Sequence, residues 1–227
     1  MQRLILVKQK ICKVQKKNFI YIGIAIAVFT IIVSFSFGMS NNVPLVQESS
    51  YTELEFTYTD ANSKLKESLS SHGISMSSTV KLSTSEDIQK FCSFFGDESN
   101  QKQVEYCTST ELRNSKGEFL GNIHMVGSKQ MPKVILSLIQ TDPFMKNIDD
   151  IKSVFGVLIE DLVCNCWEDI KPSQIETVGI WVDKQREFHT NDAKPTSKSN
   201  LSLAGYKLEM ELTTNLEGYL WKLIISK

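Results

Sequence analysis

Five cysteines, Cys12, Cys92, Cys107, Cys164 and Cys166, carry most of the reactive potential of this chain. What they do depends on compartment, because thiols stay reduced in the cytosol and pair as disulfides outside it. Cys164-Asn165-Cys166 is the tightest pair, flanked by Glu160 and Asp161. Such a pair could bind a soft metal such as Cu(I) or cycle between dithiol and disulfide. Zinc-type spacing is missing, with no Cys-x-x-Cys, no second close pair and no His at ligand distance. Structural disulfides among Cys92, Cys107, Cys164 and Cys166 are therefore the expectation, and no metal site is assigned. Metal or redox chemistry at Cys164 and Cys166 is the alternative. On a helix, residues two apart point about 200° from each other, so Cys164 can bridge Cys166 only where the helix has ended. Cys92 with Cys107 would staple a helix to the following strand, and crossed pairings are equally open.

The three histidines, His72, His124 and His189, fall in a helix end, a strand and a loop, none beside a nucleophile. His124-Met125 reads as a strand histidine next to a core methionine rather than as a copper pair. Asp149-Asp150, Glu160-Asp161 and Glu168-Asp169 are sequence neighbours, and neighbours on a helix do not face one substrate. The chain has no Gly-x-Ser-x-Gly elbow, no His-Glu-x-x-His and no phosphate-cradling Gly-rich loop. These absences give no catalytic residues and no cofactor to assign.

The elements that must position these side chains begin with an address. Residues 19–38 form an uncharged apolar run whose only polar groups are hydroxyls. As a helix, 20 residues rise about 30 Å, the thickness of a bilayer's hydrocarbon core. Residues 1–18 hold Arg3, Lys8, Lys10, Lys13, Lys16 and Lys17 and no acid, a balance of +6. The remaining 19 basic and 26 acidic residues follow the run, a balance of −7. Basic flanks stay on the cytoplasmic side, so the sequence predicts a single-pass anchor in the cell membrane with the N-terminus inside and the bulk of the chain outside. A cleaved signal is the competing reading, supported by the small residues Ser36 and Gly38, although the run is long for one. An acidic outer domain is a poor partner for nucleic acid.

Residues 39–50 read as a polar tether and 51–227 as one extracytoplasmic domain. Alternation predicts a strand over 53–59, and a short helix over 61–70 ends at His72-Gly73. A second strand covers 74–82, and a helix opens at Ser85-Glu86-Asp87. Strands follow over 103–112, 118–126 and 133–140, then a helix over 147–163, then strands over 174–183, 203–213 and 218–226. The class is α+β with a mainly antiparallel sheet, and helix then three strands, twice, suggests an internally duplicated α-β-β-β unit. Residues 189–200 lack periodicity and read as an exposed loop, with a glycosylation sequon at Asn200-Leu201-Ser202.

Together these readings predict a non-enzymatic, membrane-tethered binding or interaction module. Residues 19–38 would meet the lipid bilayer, and another cell-envelope protein or a small ligand would meet the sheet or the 189–200 segment. The alternative is a thiol-redox or copper-handling envelope protein using Cys164 and Cys166.

Overall fold

Helix α1, Tyr58–Ser71, shows how local chemistry sets the elements. Thr57 caps it, its hydroxyl accepting from the Asp60 amide, and Asp60 lies in the first turn where the helix dipole favours an acid. Tyr58, Ala61, Leu65 and Leu69 make one buried stripe. The helix starts three residues before the predicted 61–70 because this cap lies upstream. It stops at His72-Gly73, where Gly73 takes a left-handed φ of 73°. The computed structural model describes residues 51–93, 98–191 and 194–227. The basic leader, the apolar run 19–38 and the tether 39–50 lie outside the described residues. No helix among the described residues is long and apolar enough to cross a membrane.

Among the described residues there are six α-helices and one eight-stranded antiparallel sheet. After α1 come β1 (Ser75–Met76), β2 (Val80–Leu82), α2 (Ser85–Phe91), α3 (Glu98–Gln101), β3 (Tyr106–Arg113), β4 (Phe119–Gly127) and β5 (Pro132–Thr141). Then follow α4 (Ile148–Leu162), α5 (Trp167–Ile170), α6 (Val178–Asn191), β6 (Thr196–Leu203), β7 (Tyr206–Asn215) and β8 (Gly218–Ser226). The strand order is β1-β3-β4-β5-β8-β7-β6, with β2 also on β3. Two three-stranded meanders thus join through β5 and β8, paired from Val134↔Ser226 to Thr141↔Tyr219.

Helices α1, α4 and α6 share one core with one sheet face. Leu65, Leu69, Phe155, Leu158, Trp181 and Val182 pack there with Ile123, Met125, Ile139, Met210, Trp221 and Leu223. The opposite face carries a smaller cluster, in which Ile88 and Cys92 meet Cys107, Val126, Val134 and Leu136. Farther along that face the side chains are charged: Lys198 pairs with Glu209 at 2.9 Å and Glu211 at 2.8 Å, and Lys222 with Glu211 at 3.0 Å. The two lysines outweigh the burial that pushes the Glu211 carboxyl up and hold it below the usual range, while both glutamates raise Lys198 to about 12.

Three predicted elements are corrected. Residues 53–59 form no strand. No strand forms over 174–183: α6 begins at Val178, with Thr177 Oγ1 accepting from the Ile180 amide at 3.1 Å. Its buried residues, Trp181, Val182, Gln185 and His189, recur at helical spacing, but half the stripe is polar and the hydrophobic period is hidden. The predicted loop 189–200 is mostly regular: α6 runs to Asn191 and β6 starts at Thr196. Small polar residues of β6 pack under α6, so low hydrophobicity there does not mark a loop.

Candidate functional site

The four described cysteines occupy two bridges. Cys92, the C-cap of α2, is bonded to Cys107 on β3, with Cα atoms 6.5 Å apart and both residues fully buried. This staples α2, on the far sheet face, to the sheet, one of the pairings that the spacing left open. Cys164 is bonded to Cys166, Cα atoms 5.2 Å apart. That short bridge is possible because α4 has ended at Leu162 and the chain turns before α5. Both residues are half-buried against the main core. Among the described residues no group of three or more His, Cys, Asp or Glu side chains gathers as a metal would require. Asn200 is exposed on β6, the sheet's last strand, in register with Glu209.

His189 is not in a loop but in the last turn of α6, 1% exposed. Its Nδ1 lies 2.9 Å from Ser197 Oγ and its Nε2 2.8 Å from Thr214 Oγ1, while Gln185 Nε2 donates to the same Ser197 oxygen at 2.8 Å. A neutral imidazole offers one donor and one acceptor, and two hydroxyls satisfy both. Burial pushes its pKa down, which keeps it neutral. The trio ties α6 to β6 and β7, a buried anchor rather than a nucleophile and base open to substrate. His124 is likewise buried on β4, its pKa pushed down by burial to about 4. His72 caps α1 at the surface.

The described chain begins at one end of the sheet: the Leu54 amide donates to Pro132 O at 2.7 Å, Thr52 Oγ1 donates to Lys227 O at 3.1 Å, and Lys227 pairs with Glu55. At the opposite end, about 30 Å away by the rise of the ten-residue β5, lie four exposed large apolar side chains. Phe119 opens β4, Phe144 (80% exposed) follows β5, Phe188 lies in the last turn of α6, and Leu216 (fully exposed) tips the β7–β8 turn. Gly121, two residues after Phe119, pairs with Ile139 across β4–β5, and Thr141 pairs with Tyr219 across β5–β8, so the strand ends that carry them lie at one end of the sheet.

The charges at this end are mixed. Lys146 stands 5.3 Å from the Phe144 ring centre and Lys194 3.7 Å from that of Phe188, with Asp142 paired to Lys146. Beside them a depression is lined by Thr190, Lys194, Pro195, Thr214 and Tyr219, with His189 beneath. The available sequence signal was a large apolar residue inside a turn, Asp142-Pro143-Phe144 and Asn215-Leu216-Glu217-Gly218, where polar residues are the rule. Single exposed apolar residues are common, so the signal needs the third dimension to become a cluster. No family model, curated protein or solved structure matches this chain.

Proposed function

We propose that the chain is a membrane-tethered, extracytoplasmic interaction module that holds a partner protein of the cell envelope on its apolar tip. The observation that carries this reading is the gathering of Phe119, Phe144, Phe188 and Leu216 at the sheet end opposite the N-terminal approach. Aromatic side chains among mixed charges are the composition of a protein-binding surface, in which a few rings provide most of the affinity. A lipid or nucleic-acid surface would favour a net basic tip, and here lysines alternate with Asp142, Glu118 and Glu217. The apolar run 19–38, with +6 before it and −7 after it, supports an uncleaved anchor with the N-terminus in the cytoplasm. The symmetric order β3-β4-β5-β8-β7-β6 supports an internal duplication in which each half ends in a three-stranded meander, with α1 beside α4 as the first half's helix in place of the predicted helix at Ser85, whose buried residues join the other cluster.

Site-specific photo-crosslinking in cells tests the reading. A crosslinker at position 144 or 216 is expected to trap one discrete partner band, and one at Val80, exposed on the sheet's other edge, is expected to trap none. Equal yields at all three positions, or none at the tip, overturn it. The rival reading, thiol redox or copper handling at Cys164 and Cys166, draws on their partial exposure. It requires both thiols to alkylate after mild reduction while Cys92 and Cys107 stay protected, which mass spectrometry reads directly.

A further inference from the structure

On the helix-covered side, the edge of the sheet opens into a cleft that neither the tip nor the cysteines use. Strand β1 ends with Met76 opposite Leu112, and β2 starts with Val80 opposite Ser109. Three residues, Ser77, Ser78 and Thr79, thus face only Thr110 and Glu111, and the surplus residue bulges the edge outward. The bulge is fixed: the Ser77 amide donates to Glu111 O and the Glu111 amide to Ser77 Oγ, each at 3.0 Å, and Thr110 Oγ1 donates to Thr79 Oγ1 at 3.1 Å. Between this bulge and α1 lies a cavity whose walls include Ser63, Lys66, Ser78 and Lys81, with Met76 and Thr108 deeper.

Three properties distinguish the cleft. Among the described residues no carboxylate lines it, although the chain after residue 38 carries −7. Lys66 and Lys81 both line it, and neither is in an ion pair among the described residues. Thr108, only 1% exposed, lines it too, and its hydroxyl has no hydrogen-bond partner among the described residues. The neighbouring Asn62 is already committed, donating to Tyr58 O at 2.8 Å and accepting from Thr110 at 3.1 Å, so the surface beside Thr108 is rigid. A waiting hydroxyl at the floor, free hydroxyls on the walls and two ammonium groups at the mouth match a compact oxyanion.

We propose that this cleft binds a small oxyanion-bearing ligand of the phosphate class, with Thr108 as the buried contact and Lys66 and Lys81 as the charge partners. The source is either free phosphate or a phosphomonoester, whose polyol would meet Ser63 and Ser78. Titration of the full chain with inorganic phosphate and, separately, glycerol 3-phosphate, followed by NMR, tests it. Saturable shifts confined to residues 77–79 and 108 are expected, with affinity falling at least about tenfold in Lys66→Met/Lys81→Met as two charge-assisted contacts are lost. Both lysines are exposed, so that variant keeps its fold, and Thr108→Val serves as the second probe. A tighter ester assigns the ligand as a phosphomonoester, and equal affinities assign free phosphate. The absence of saturable shifts at about 10 mM, or shifts unchanged in the double lysine variant, overturns the proposal.

Discussion

Acidification from pH 7.5 to 4.5 tests the buried histidine of β4. His124 is 7% exposed, in register with Ser109 on β3 and Leu136 on β5. Burial lowers its pKa from 6.5 to about 4, so the fold prefers the neutral ring and the unfolded chain takes up the proton first. Stability is then full above pH 6.5 and is lost as pH falls toward 4. At about 1.4 kcal/mol per pH unit, the whole window is worth about 3 kcal/mol, of which about 2.5 kcal/mol is gone at pH 4.5. Urea unfolding with the disulfides intact, followed by tryptophan fluorescence, measures it. The variant His124→Gln removes the titration while keeping a polar side chain. Wild type is expected to lose about 2.5 kcal/mol more than the variant between the two pH values. His189 adds a loss of the same sign in both proteins, so the difference isolates His124. If the two proteins lose stability in parallel, within about 0.5 kcal/mol, then burial does not hold His124 neutral.

Gly121 tests the packing of β4 on β5. A Cβ there would sit 1.9 Å from the Leu138 carbonyl oxygen, backbone that cannot swing aside, so Gly121→Ala is expected to cost about 3 kcal/mol or more, read as a lowered urea midpoint. Removing the Cys92–Cys107 bridge as Cys92→Ala/Cys107→Ala opens a loop of 15 residues and is expected to cost about 3 kcal/mol; a midpoint unchanged from wild type contradicts the stapling role of that bridge. Phe144→Asp and Leu216→Asp touch only exposed positions and are expected to leave stability within about 0.5 kcal/mol while abolishing the crosslink formed by a crosslinker placed at Phe188, a third tip position. Retention of that crosslink in the double variant removes the tip from the interface. Trp181→Phe loses the bond that Trp181 Nε1 donates to Ser199 Oγ at 2.8 Å, an expected cost of about 1 kcal/mol.

Much of the fold was legible where one residue carried an unshared signal. The acids after Thr84 mark the start of α2, and the apolar stripe through Ile151, Phe155, Leu158 and Leu162 marks α4. In the same way, the alternation of Leu208, Met210 and Leu212 against charged neighbours marks β7. Legibility failed between 174 and 200, because the buried stripe of α6 includes Gln185 and His189 and the covered face of β6 includes Ser197 and Ser199. Their hydroxyl, amide and imidazole groups satisfy one another across the helix–sheet interface. A polar residue that is buried with its partner looks, in sequence, like one that is exposed to water.

The sequence alone determined the α+β class, the charge split around 19–38 and the even set of downstream cysteines, because composition, period and charge are local properties. Tertiary structure decided which cysteines pair, since pairing requires Cα atoms within reach and α4 to end before Cys164. It also decided that Phe119, Phe144, Phe188 and Leu216, spread over nearly 100 positions, share one end of the sheet, and that Thr108 lies beneath a cleft roofed by α1. Strand pairing brings such residues together, and register is fixed by the burial of whole faces, which no single segment encodes.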